Sequence, residues 1–268
     1  MLKLIKLEWS KFRKNNTITL LFIFFLMFMP LALYVAKYFN DLNEMAAKFL
    51  GGGILSSPAI WSYLGYAGNW VVFFFLGVLI IYTVTIDVST KTMRQNIIGG
   101  LSRKVYILGK FQNVILMSVF ATLYYALLCV IIGSIYTENA SLSNLMDNQF
   151  AIGRFFLMSL AYLNFALMLA MWFRKAGMAV FTYIAYIIGV ETLLKILTKK
   201  YIVDSSIVNY FPMNAAEDLM PIPKFGELAD SMTESDLFLS YPQASIATII
   251  YLIIFAATTY FFFHKRDL

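Results

Sequence analysis

Residues 111–136 read FQNVILMSVFATLYYALLCVIIGSIY, 26 positions without a single Asp, Glu, Lys or Arg. A bilayer's hydrocarbon core is about 30 Å thick and asks a helix for about 20 apolar residues, so this stretch is long enough to span it. Five further apolar runs, with charges only near their ends, occur at 17–38, 70–86, 153–173, 177–194 and 244–263. Backbone polar groups in lipid must be satisfied within the segment, which leaves helices or a closed barrel, and the alternation of about ten residues that marks a barrel strand is missing. The chain, 60% apolar and 13% charged over 268 residues, is therefore read as an all-α integral membrane protein with six transmembrane helices in a single domain, 1–268.

Orientation follows from the basic residues, which stay on the cytoplasmic side of span ends. With the N and C termini both cytoplasmic, the inner segments hold 14 of the 21 basic residues and only Glu8, Asp87 and Asp267 among the acids, a net +11. The outer segments hold the other 7 basic and 12 acidic residues, a net −5, matching the overall +6. The net charge thus reflects topology and contact with anionic lipid, not a nucleic-acid partner. Cys129 is the only cysteine and lies inside a span, so no disulfide framework or CxxC metal pair is written here.

The start of the chain, MLKLIKLEWSKFRKN, resembles the basic region of a signal peptide, but the apolar run behind it is too long and no A-x-A-like cleavage site follows. It reads as a retained anchor. On a helical wheel Leu2, Ile5, Trp9 and Phe12 share one arc and Lys3, Lys6, Arg13 and Lys14 another, which predicts an N-terminal interfacial amphipathic helix over 1–16.

Between the second and third runs lies 91–110, KTMRQNIIGGLSRKVYILGK, longer than a chain reversal requires. The connection around Arg174 and Lys175 shows how short an inner loop can be. From Asp87 to Ile98 there is neither Pro nor Gly, and the Gly99-Gly100 pair follows, which predicts a short polar helix stopped by glycine. Held between two spans, such a helix is a lever through which a cytoplasmic partner moves both. It is not a phosphate loop: eight residues separate Gly100 from Gly109, and Phe111 stands where Ser or Thr would follow the lysine.

Six spans, an interfacial N-terminal segment, an acid at the end of span two, then Ser102-Arg103, Ile107-Leu108 and Gly109-Lys110, together resemble the ABC-2 type permease subunits of ATP-binding cassette exporters. The resemblance implies that the cytoplasmic coupling loop, 87–110, docks into a separate cytoplasmic ABC ATPase subunit. The contact would be made by Asp87, Lys91, Thr92, Met93, Arg94, Gln95, Asn96, Ile97, Ile98 and Arg103. It also implies that two permease copies or paralogues enclose the substrate path in the cell membrane. ATP and Mg would be bound by the partner, with no cofactor and no catalysis in this chain. An apolar path suits an amphipathic, lipid-like, peptide or drug-like cargo. Two other classes stand beside this reading, an ion-coupled secondary transporter and a non-transporting membrane scaffold. A lipid-acting membrane enzyme is disfavoured because no DGxxAR-like motif, HExxH or intramembrane acid pair is present.

Ionisable side chains at membrane depth are costly and by default functional, and the middle of every span is free of them, so the candidates lie at the span edges. Glu191 and Lys195 are four apart near the outer end of the fifth span and share a helix face, as a locally paired rim or as an outer gate. Asn164 in mid-span is expected to hydrogen-bond a neighbouring helix. Pro30 is expected to kink the first span, and Arg154 to snorkel. Trp9, Trp61, Trp70 and Trp172 fit an interfacial aromatic belt. His264 has no partner at metal spacing and reads as an interfacial cation site. The acidic, proline-interrupted region 198–243 is expected to form an extracytoplasmic cap, with a short helix whose N-cap is Asn214.

Overall fold

The structure is a computed structural model that describes residues 15–42, 53–137, 141–201, 206–223 and 238–265. The interfacial helix expected over 1–16 lies outside the described residues except for Asn15 and Asn16. Residues 224–237 of the expected cap lie outside them too.

Among the described residues the protein is helical throughout, with no strand. Six helices are long and apolar enough to cross a membrane: α1 (Asn16–Leu42), α2 (Ala59–Ser89), α4 (Arg103–Tyr136), α6 (Phe150–Phe173), α7 (Ala176–Thr198) and α9 (Tyr241–Lys265). Among the described residues three short α-helices, α3 (Thr92–Ile98), α5 (Leu142–Leu145) and α8 (Pro212–Glu217), and one 3-10 helix, Ser206–Tyr210, intervene. The chain is a multi-pass membrane protein. Its six apolar helices are compatible with a subunit of a membrane transporter.

Helix ends follow local chemistry. Asn15 caps α1 by accepting the Thr17 and Ile18 N–H groups at 3.0 and 3.3 Å. The Ser102 hydroxyl accepts the Val105 N–H at 3.3 Å and starts α4, eight residues before the apolar run itself begins. Left-handed residues stop the others: Arg174 (φ 56°) closes α6, and Lys91 (φ 58°) separates α2 from α3.

Equal hydropathy conceals unequal roles. α6 is the central helix, with 78% of its apolar window buried, while only 17% of the α7 window is. It packs against α9, α4, α2 and α7, and almost every side chain from Ala161 to Met171 is inside. Asn164 donates Nδ2–H to the Leu252 carbonyl of α9 at 3.2 Å, the interhelical bond expected of it.

The second span begins at Ala59, eleven residues before the apolar run that announces it, because its first half is apolar on one side only. Ile60, Trp61 and Leu64 are buried, and Gly65, Gly68 and Asn69 lower the local hydropathy while facing the same interior. Trp61 accordingly leaves the aromatic belt assigned to it. It is fully buried, its Nε1–H donates to the Leu145 carbonyl at 2.9 Å, and its ring packs edge-on against Tyr125. Trp70 lies in mid-span, partly exposed, with its ring beside those of Phe73 and Phe74.

Two π-helical turns were not foreseen, Val72–Gly77 in α2 and Tyr186–Val190 in α7. At the first, the Tyr183 ring of α7 lies directly on Gly77, where a Cβ would stand 2.6 Å from the ring Cζ. Phe73 completes the contact, 5.2 Å from the Tyr183 ring and 5.9 Å from the Tyr162 ring. Such widened turns often mark functional positions in helices, and hydropathy does not register them.

Candidate functional site

Among the described residues the buried charged side chains, Asp87, Lys110, Glu191 and Asp218, fall into two groups at the two ends of the bundle. At one end α2, α3 and α4 meet, joined by contacts to the ends of α6 and α9. The Trp172 ring stacks on Phe262 at 5.3 Å, and Arg103 Nη1 donates to the His264 carbonyl at 3.3 Å. The His264 ring itself stacks on Tyr260 at 5.2 Å.

The ten residues predicted for partner docking divide by geometry. Asp87 does not point outward: it belongs to the last turns of α2, and its Oδ2 lies 2.7 Å from Lys110 Nζ, each side chain 2% exposed. Tyr106 Oη donates to the same oxygen at 3.1 Å, and the ammonium lies 5.5 Å from the Tyr106 ring centroid. Lys110 Nζ also approaches the Thr83 carbonyl at 3.5 Å. The pair is thus charge-matched and hydrogen-bonded from several directions, the condition under which two buried charges are tolerated. Removing both from the charge count leaves the +11 excess expected for the inner segments unchanged.

Met93 is the inward anchor of α3, 2% exposed. Thr92 and Asn96 are half-buried: the Thr92 hydroxyl bonds that of Thr90 at 2.7 Å, and the Asn96 carbonyl accepts the Leu101 N–H at 3.0 Å. Ile97 packs against the core. Lys91, Arg94, Gln95 and Ile98 are exposed, and their spacing of three and four residues places them in one stripe. Ile98 is the extreme, 86% exposed. Gly100 (φ 97°) then makes the turn into α4, a conformation in which a Cβ would be strained.

Sequence reading missed Tyr106 and Lys110 as site residues. An acid closing one span and a Tyr-x-x-x-Lys face opening the next were the available signal. Lys110, taken as one more cation at a span end, gave no sign of its burial.

At the opposite end, α8 packs on α6 and α9 and is hydrogen-bonded to α7. Its N-cap position is Phe211 and not Asn214, because Pro212 takes the first turn of the helix. The capping acceptor is remote instead: Glu191 of α7, 3% exposed, accepts the Asn214 N–H at 2.7 Å and the Met213 N–H at 3.2 Å. Asn214 is the hub of this end. It accepts a bond from Lys195, donates to the Asn209 carbonyl at 2.7 Å, and donates to Asp218 Oδ2 at 3.2 Å. Asp218 also accepts the Leu239 N–H at 2.9 Å, tying the start of α9 to α8. Tyr162 Oη of α6 donates to Glu217 Oε1 at 3.3 Å. The expected pair Glu191 and Lys195 therefore meets through Asn214, each side chain bonding to a different part of that residue. Arg154 stacks on the Tyr241 ring at 3.8 Å and donates to Asn148 at 3.0 Å.

Between the two ends, α1, α2 and α7 form an open apolar groove of about 940 Å³, lined among others by Leu21, Tyr82, Phe181 and Ile188. Among the described residues no three His, Cys, Asp or Glu side chains are grouped to hold a metal ion. No protein-family model matches the chain, and no curated protein matches its sequence.

Proposed function

We propose that this chain is the membrane-spanning permease subunit of an ATP-driven exporter, of the ABC-2 type that its span layout and its Ser102-Arg103 to Gly109-Lys110 stretch resemble. The observation that carries the reading is α3. A seven-residue helix fixed at both ends to long spans turns Lys91, Arg94, Gln95 and Ile98 outward, and an isoleucine 86% exposed beside two cations and an amide suits a protein partner. In this reading the partner is a cytoplasmic ATPase that binds ATP and Mg. Its closure pushes on α3, and the Asp87–Lys110 pair makes α2 and α4 follow as one body. A ligand-driven shift between two packings of the spans is the general form of such coupling.

A second copy or a paralogue would complete the path by covering the groove along α1, α2 and α7. On α7, Ala185 and Gly189 line that groove four residues apart, the small-xxx-small spacing that lets transmembrane helices approach closely. An apolar path suits an amphipathic, lipid-like, peptide or drug-like cargo, carried across the cell membrane.

The test is co-purification. The chain, tagged, is expressed with a candidate ABC ATPase, and co-elution and ATP hydrolysis are compared with those of Arg94→Ala/Gln95→Ala/Ile98→Asp. Co-elution abolished by those exposed changes supports the permease reading. No association in either case removes it and makes an ion-coupled secondary transporter or a membrane scaffold the working description.

A further inference from the structure

The α8 end carries an imbalance of charge. Facing one another there are Glu191, Lys195 and Tyr186 of α7, Tyr162 of α6, Glu217 and Asp218 of α8 and the turn after it, and Tyr251 of α9. Among the described residues that is three carboxylates against one amine, with phenols between them. Desolvating three negative charges against a single positive one is costly, and a carboxylate so placed takes up a proton instead.

The hydrogen bonds indicate which one. Glu191 is held by two backbone N–H groups, and Asp218 by the Leu239 N–H and the Asn214 amide. Glu217 has the Tyr162 hydroxyl, at 3.3 Å, as its donor. Burial first, and the charge of Glu191 second, push the Glu217 carboxyl up to about 7; burial pushes that of Asp218 up to about 6, against the pull of its donors.

We propose that α8 is a proton-latched cap, docked on the ends of α6, α7 and α9 while Glu217 is protonated and loosened when Glu217 ionises. A neutral Glu217 leaves two carboxylates around Lys195, each with its own N–H donors. An ionised Glu217 adds a charge whose nearest opposite is already engaged with Asn214. Loosening would reach further than α8, because Asp218 holds Leu239 at the start of α9, and Met220 packs on Gly65 of α2, where a Cβ would stand 2.6 Å from the Met220 sulfur. The device concerns the packing of this chain alone and stands whether or not an ATPase is the partner.

The sign follows from linkage. A carboxyl raised in the docked state contributes docking strength that is complete below its free range, near 4.5, and is lost as pH rises towards and through about 7. The experiment is amide hydrogen exchange over residues 208–220 of the full chain in lipid nanodiscs, corrected for the intrinsic pH dependence of exchange. Protection is expected to fall on the order of tenfold or more between about pH 5.5 and pH 8.5. Glu217→Gln, a permanent neutral stand-in, is expected to keep protection high across the range and to remove most of the slope. A wild-type profile that is flat overturns the proposal without any variant, and a Glu217→Gln protein that retains the wild-type slope overturns it equally.

Discussion

Lys110 Nζ lies 2.7 Å from Asp87 Oδ2, and this pair bridges α2 and α4 on the inner side of the very connection that separates them in sequence. The 22 residues between the two include α3, which is therefore carried on a closed frame and not on a slack loop.

The pair predicts an asymmetric mutational response. Asp87→Asn or Lys110→Met alone strands a buried charge and is expected to cost about 3–5 kcal/mol, whereas the double substitution costs far less, since neither charge is then left alone. Thermal unfolding in detergent of the two singles and the double checks this. Additive losses would show that the two groups act independently.

Glu191 is the cap of a helix that begins 21 residues further on. Glu191→Ala leaves the Met213 and Asn214 N–H groups without their acceptor in a buried site and is expected to cost about 1–3 kcal/mol, expressed first as increased proteolysis after α8. Unaltered cleavage of the region would count against the remote cap.

Gly77 and Tyr183 test the contact at the π turn of α2. Gly77→Ala forces the Tyr183 ring away and is expected to destabilise the fold by about 1–3 kcal/mol. Tyr183→Phe is expected to be neutral to slightly stabilising, because the buried hydroxyl has no hydrogen-bond partner among the described residues. Equal losses from both substitutions, read as shifts in unfolding temperature, would contradict the packing described.

The outward stripe of α3 is expected to separate folding from coupling. Ile98→Ser and Arg94→Ala should change stability by less than about 0.5 kcal/mol, as exposed positions do, while lowering any partner-stimulated ATP hydrolysis by tenfold or more. Unchanged hydrolysis in a complex that still forms would relocate the docking surface.

Much of this molecule is legible in its residues. The six spans, the short helix near Met93 and the turn at Gly99-Gly100 follow from hydropathy and glycine placement, which act over a few residues and need no tertiary partner. Where the first half of α2 lies is harder, because Gly65, Gly68 and Asn69 look like a polar loop until α6 and Met220 are packed against them. Local pattern placed Asn214 at a helix start. Only the approach of α7 shows that a carboxylate from Glu191 holds that place.

By itself the sequence determined that the chain is an all-helical bundle crossing a membrane six times, since lipid leaves the backbone no other way to satisfy its polar groups and about 20 apolar residues state the length. The tertiary structure decided which of six apolar helices is central, and that Asp87 faces Lys110. It also gathered three carboxylates around one lysine at the α8 end. Those are pairings between residues far apart in the chain, and their energies depend on distance and desolvation, quantities that exist only after the helices have packed.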